Sequence, residues 1–293
     1  MTRPASTPPL DWRSLPASEM EQHFNPRAVN PDAQRLIDDF SARSAQARER
    51  IPGRYDIRYG ERPKETLDLH VPEGAEPGLP LVVFIHGGFW RALDKSDHSF
   101  VAPSLLDTGA IVANVNYDLC PTVTLDEIVD EIANAVRFCR DHAASWGADP
   151  DGLYLFGHSA GAHLAARMLQ REWSAEEFPA HAIRGVAAIS GVYEPEVILG
   201  ITVNEEAQIT PDSAARQNCF GREFTLKPRM LVAVGGDEPE GWSAQSAAFA
   251  DACREDSLST DYEVVAGANH FSVLNRALTR GDPLHEAVVS LWR

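Results

Sequence analysis

Cysteine, basic side chains and long apolar runs are all scarce in this chain. Its four cysteines, Cys120, Cys139, Cys219 and Cys253, lie far apart in 293 residues, with no C-x-x-C pair and no Cys/His cluster at zinc spacing. That pattern argues against a disulfide framework and against a zinc site, and the thiols read as reduced and mostly buried. No metal and no cofactor are expected. Lys and Arg number 26 against 43 Asp and Glu, a formal charge of −17. Binding to nucleic acid or to an anionic membrane by electrostatics is thereby excluded, and polyanionic substrates are slightly disfavoured. The acidity reads chiefly as solubility. No stretch approaches about 18 uninterrupted apolar residues, and the first ten residues carry no apolar core of a secretory signal. A cytoplasmic location is expected.

Length and composition suit one large α/β domain with a sizeable core. Residues 1–18 are rich in proline, which cannot donate to a ladder, so they are expected to be flexible or draped over the surface. Residues 19–293 are expected to form the single domain. Asn30-Pro31-Asp32 opens a helical pattern through Ala33, Leu36, Ile37, Phe40 and Ala47 that stops before Pro52-Gly53. Residues 54–59 and 66–71 alternate in period two and suggest an antiparallel pair at a sheet edge. From Leu79 the pattern changes to continuous apolar runs, at 81–85, 110–115, 153–156, 186–189 and 230–234, followed by a short strand at 262–265. Such runs belong to strands covered on both faces. Helical segments alternate with them, the clearest opening at a Thr124-Leu125-Asp126-Glu127 capping box. The fold class that follows is α/β, with a mostly parallel, doubly wound sheet, an N-terminal helical segment and a small cap insertion. Cap contributions are expected from about 19–52 and 193–228.

Within this pattern Gly157-His158-Ser159-Ala160-Gly161 joins an apolar strand to a helix. That is a nucleophile elbow, in which a sharp turn lifts the Ser159 hydroxyl to the top of the sheet and glycines on either side let the backbone crowd together. A serine nucleophile needs a base and the base an orienting acid, in the chain order Ser, Asp/Glu, His. His270, in the loop beyond the last strand, is the expected base; His98, His142, His181 and His285 sit in bland contexts. Asp237 comes first off the strand ending in Val234-Gly235-Gly236 and is favoured as the acid, with Glu238 and Glu240 as competitors. His86-Gly87-Gly88-Phe89-Trp90, directly after an apolar strand, supplies an oxyanion loop. Gly87, Gly88 or Phe89 would donate an amide together with Ala160. No Gly-Lys-Ser/Thr follows, so a phosphate cradle does not fit. His86 is expected to brace the loop and His163 to serve packing.

His86-Gly87-Gly88-Phe89-Trp90 resembles the H-G-G-x-W signature of the kynurenine formamidases (arylformamidases), relatives of the hormone-sensitive-lipase-like esterases in the α/β-hydrolase superfamily. Asn116 to Pro121, Gly157 to Leu164, Ser190 to Glu194, Asp237 to Glu240 and Asn269-His270-Phe271 are similar to that group as well. The likeness runs from about residue 20 to the C-terminus. It implies an α/β-hydrolase fold, and Ser159, Asp237 and His270 as nucleophile, acid and base. It also implies an aryl formamide substrate, with N-formyl-L-kynurenine the leading candidate. One segment departs: Asn218-Cys219-Phe220 stands where similar sequences often have Asn-Ser-Pro, in the region from Tyr193 to Pro228 expected to roof the pocket.

Trp90, Tyr117, Tyr193, Phe220, Trp242 and Phe271 lie near these loops and are the candidate pocket residues, with Trp90 the strongest as an aromatic wall beside the oxyanion loop. The expected partner is a small aromatic amide or ester; a homodimer stays open. Two other functions share the motifs: a carboxylesterase for short-chain or aryl esters, since identical machinery serves both, and a non-catalytic binding module of the same fold.

Overall fold

The computed structural model describes residues 10–74, 76–174 and 178–293. Eight strands form one sheet: β1 (Arg54–Arg58), β2 (Thr66–His70), β3 (Leu79–Ile85), β4 (Ile111–Val115), β5 (Ala148–His158), β6 (Ile183–Ile189), β7 (Arg229–Gly235) and β8 (Thr260–Val265). Their order is β1-β2-β4-β3-β5-β6-β7-β8. β1 pairs antiparallel with β2, and β2 with β4, whereas every pair from β4 to β8 is parallel. The alternating segments and the continuous apolar runs thus sort as their patterns predict, the former at the edge and the latter in the doubly covered centre.

Eleven α-helices are described. α1 (Ala17–Phe24), α2 (Pro26–Val29) and α3 (Ala33–Arg50) precede the sheet. α4 (Ala102–Leu106), α5 (Leu125–Trp146) and α6 (Ala160–Gln170) connect its first half. α7 (Val203–Ala207), α8 (Pro211–Arg216), α9 (Glu240–Glu255), α10 (Ser272–Ala277) and α11 (Pro283–Val289) follow. α5 starts where the sequence predicts, with both halves of the capping box formed between Thr124 and Glu127, and it ends on left-handed Gly147. The strand period of two divides the core between the two faces of the sheet. Leu81, Val83 and Ile85 of β3 join the cluster under α5, α6 and α9, while Val82 and Phe84 join the one under α3, α4, α10 and α11.

The parallel register aligns the strand ends. Ile85 lies opposite Val115 and Gly157, His158 opposite Ile189, and Gly235 opposite Val265. The loops after β3, β5, β6, β7 and β8 therefore leave the sheet along one edge, and there the functional side chains gather.

Of the segment expected to be flexible, residues 1–9 lie outside the described residues, but residues 10–18 are not loosely draped. A 3₁₀ turn at Trp12–Ser14 buries Trp12. Its indole Nε1 donates to Glu194 at 2.9 Å, and Arg13 pairs with the same carboxylate at 2.7 Å. Apolar area on one indole outweighs the lack of periodicity that made the segment read as loose. Trp12→Ala is expected to cost about 3 kcal/mol of stability. Denaturant unfolding checks this, since a loosely draped residue would cost almost nothing.

Candidate active site

The turn from β5 into α6 has room only for glycine at two positions. A Cβ on Gly157 would come within 2.2 Å of the Gly161 carbonyl oxygen, and one on Gly161 within 1.9 Å of the Ile85 oxygen. Between them Ser159 adopts φ +56° and ψ −122°. Such a conformation is costly for a residue with a Cβ and holds only where its surroundings fix it. Here the Ser159 amide donates to Ile189 on β6 at 2.9 Å. The amide of Ala160, first residue of α6, has no carbonyl one turn before it to bond, so it stays available beside the serine.

The loop after β3, expected to supply the oxyanion amides, folds back over this turn. Gly88, Phe89 and Trp90 all have positive φ, at 116°, 51° and 57°. Gly87 passes so close that a Cβ there would stand 2.8 Å from the Ser159 Cβ. His86 braces the loop as expected: its Nδ1 lies 2.7 Å from the Gly87 carbonyl, and its ring stacks on Tyr117 with centroids 4.4 Å apart. Burial lowers the His86 pKa and favours the neutral ring. Tyr117 donates its hydroxyl to the His86 carbonyl at 2.8 Å, and the Cys120 amide holds the Trp90 carbonyl at 2.8 Å. The Asn116 to Cys120 stretch is thus a second layer that sets the loop.

His270 completes the arrangement. Its Nε2 lies 3.0 Å from Ser159 Oγ, and its Nδ1 2.6 Å from Oε2 of Glu238. The other oxygen of Glu238 accepts from Ser190 Oγ at 2.5 Å and from the Gly235 amide at 2.7 Å. The carboxylate on His270 is therefore Glu238, not the expected Asp237. The reason is a tight turn after β7, closed by the Glu238 amide on the Gly235 carbonyl at 3.2 Å. Asp237 sits at its corner with its side chain in solvent, along an outer cleft with Asn30 and Pro239, while Glu238 turns back beneath the sheet edge and is fully buried. Glu240, the other competitor, is exposed at the start of α9.

Two supporting residues, Ser190 and His158, escaped the sequence reading, and a third, Trp242, was expected in the pocket wall instead. Ser190, at φ +50° just past β6, holds Glu238. Trp242 packs its ring on His270, with centroids 4.2 Å apart. His158 sets its Nε2 2.8 Å from the His270 carbonyl, and burial, reinforced by the His270 ring, pushes its pKa well below the usual histidine range. A neutral His158 carries its proton on Nε2 and donates it there. For His158 and Ser190 the only signal was membership of the motifs already quoted.

A cleft of about 550 Å³, including its open mouth, lies over Ser159 and His270. Gly87, Gly88 and Phe89 form one wall, with Phe271 near the histidine, and Pro26, Ile37 and Phe40 of α2 and α3 form the other. Of the six expected pocket aromatics only Phe271 lines it. Trp90 is fully buried with its edge against His163, 5.0 Å between centroids, and Tyr193 stacks on Phe249 at 3.8 Å. Tyr117 and Trp242 serve His86 and His270. Phe220 packs on Trp12. Trp90, Tyr117, Tyr193 and Trp242 are drawn under the loops rather than over them, and Phe220 is only partly buried. The expected roof from Tyr193 to Pro228 likewise gives the cleft no lining residue; it reaches the wall through the Arg91–Glu206 ion pair. His163 donates from Nε2 to the Gln217 carbonyl, 2.8 Å away, in a packing role. Among the described residues no group of three His, Cys, Asp or Glu is placed to hold a metal, and no helix is long and apolar enough to cross a membrane.

Comparison with known proteins identifies the family and the fold. Residues 67–231 match the BD-FAE family model. The kynurenine formamidase of Danio rerio is 30% identical over 277 residues, covering 91% of this chain and 93% of that protein. A structure from Silicibacter sp. TM1040, provisionally assigned as a thioesterase, superposes with a TM-score of 0.76 at 28% identity, covering 93% of this chain and 97% of its own. The thermophilic carboxylesterase EstE1, from a metagenomic library, has a TM-score of 0.68 at 18% identity over 91% of this chain and 99% of its own, which speaks for the shared fold. The chain belongs to the α/β-hydrolases of the BD-FAE family, together with the kynurenine formamidases.

Proposed function

We propose that this protein is a serine hydrolase of aryl formamides, with N-formyl-L-kynurenine as its leading substrate and kynurenine and formate as products. The observation that carries the reading is the continuous relay from Ser159 Oγ through His270 to Glu238, at 3.0 and 2.6 Å. Ser159 at its free pKa is a weak nucleophile, and His270 Nε2 lies within reach of its proton. As the proton moves, the serine oxygen attacks the formyl carbon. The oxyanion then forms among the amides of the Gly88-Phe89 loop and Ala160, which need no reorganisation to receive it. His270 passes the proton to the departing aryl amine. Water, deprotonated by the same ring, releases formate from the acyl-enzyme. Glu238 holds Nδ1–H and stabilises the imidazolium, and Asp237 has no part in it.

The wall of α2 and α3 with Phe271 offers apolar surface to a flat leaving group, while Gly87 crowds the serine and suits a small acyl group. The four cysteines are free and buried, which suits a reducing, cytoplasmic compartment.

The test compares kcat/KM for N-formylkynurenine, simple aryl formamides and p-nitrophenyl acetate, with fluorophosphonate labelling of the folded protein. A ratio favouring the formamides is expected. A strong preference for the ester would mark a carboxylesterase instead, and no adduct on Ser159 would mark a binding module.

A further inference from the structure

The charge of the cleft is opposite to that of the protein. The chain has 43 acidic and 26 basic residues, yet Arg27 and Arg91 line the cleft and no Asp or Glu does. Arg91 is the better placed of the two. It follows the oxyanion loop at once, and its amide bonds the Gly88 carbonyl at 3.1 Å, so its position is set by the same turn that sets the oxyanion amides. Its side chain is only 13% exposed. The Nε–H is buried and has no partner. One terminal nitrogen, Nη1, is held by Glu206 at 2.5 Å, but that glutamate is 71% exposed and the pair is of the surface kind that contributes little. A buried N–H left unpaired carries a desolvation cost that a ligand can relieve. Nε–H is also half of the edge with which a guanidinium grips a carboxylate in two parallel bonds. Arg27 lies opposite on α2, exposed, with its Nη2 on Gln34 at 2.8 Å.

We propose that Arg91, assisted by Arg27, is the specificity-determining anion subsite of this cleft, and that the substrate carries a carboxylate on its leaving-group side. The inference rests on the hydrolase reading above and narrows its substrate class to aryl amides or esters that bear a carboxylate on the leaving group. Neutral esters would then be turned over without using the subsite.

The experiment measures kcat/KM for N-formylkynurenine, which bears a carboxylate, and for uncharged p-nitrophenyl acetate, in the wild type, Arg91→Met, Arg91→Lys and Arg27→Met. The ratio of the two is expected to fall about 10- to 100-fold in Arg91→Met, chiefly through KM, as for loss of a charge-assisted pair. Arg91→Lys should recover part of it, and Arg27→Met should show a smaller fall. A second arm follows inhibition of p-nitrophenyl acetate turnover by phenylbutyrate and by its uncharged amide. The acid should bind more tightly than the amide in the wild type, and the preference should vanish in Arg91→Met. An unchanged ratio in Arg91→Met, equal losses on both substrates, or equal inhibition of the wild type by acid and amide would each overturn the subsite while leaving the hydrolase intact. A wild type that turns over neither substrate and takes no fluorophosphonate would instead sink the hydrolase reading, and the subsite with it.

Discussion

Ser159→Ala is expected to lower kcat on the order of 10⁶-fold while leaving the fold in place. The size of the effect follows from what the hydroxyl does. Nothing else within reach of His270 can form the acyl intermediate, so the variant retains only the binding and electrostatic help of the oxyanion loop. The fold should survive because the Ser159 side chain has one bond, to His270, while the elbow is fixed by the backbone bond to Ile189 and by the crowding at Gly157 and Gly161. Alanine accepts the same backbone geometry at about the same strain. Turnover and thermal unfolding measured on one preparation check both halves. Substantial activity in a folded variant would remove Ser159 from its role.

Glu238→Gln should lower kcat about 10⁴-fold, whereas Asp237→Asn should leave it within about twofold. The neutral amide of the first variant cannot stabilise the imidazolium, and its NH₂ can turn toward Nδ1 and favour the wrong tautomer. It also gives up charge in the bonds from Ser190 and Gly235. Asp237, one residue earlier, faces solvent and touches none of these groups. Steady-state kinetics on the pair of variants decides between neighbours in sequence, and the reverse outcome would return the acid to Asp237.

That pair shows where sequence reading stops. Gly235-Gly236-Asp237-Glu238 presents two adjacent carboxylates, and which one faces inward depends on a turn whose closing bond no local pattern reveals. The strands were legible because continuous apolar runs can be buried only one way, and the elbow because its crowding demands glycines at fixed spacing. His270 was legible because the last loop of such a sheet can only open onto the same edge. The pocket was not. Trp90, Tyr117, Tyr193 and Trp242 sit beside the right loops, but a side chain at a strand end can rise into the cleft or drop into the core, and each of these dropped. The residues that do wall the cleft, Pro26, Ile37 and Phe40, come from helices whose periodicity shows an apolar face without showing what it meets. The competing pull at Trp12 was likewise invisible, since its partner lies 182 residues away.

That separation also sets an order of events during synthesis. The N-terminal helices are made before their distant partners: Trp12 finds its carboxylate only with Glu194, and the amide of Thr202 bonds Glu21 at 2.8 Å across a similar span. At the usual pace of translation Trp12 and α1 wait about 10 to 40 s for these partners. During that interval α1, which packs on the turn at Pro195–Gly200 and on α9, has nothing to cover and is open to chaperones, whereas α3 can already meet Val82 and Phe84 of β3. The contacts that anchor Trp12 and α1 beside the cleft are therefore among the later ones to become possible.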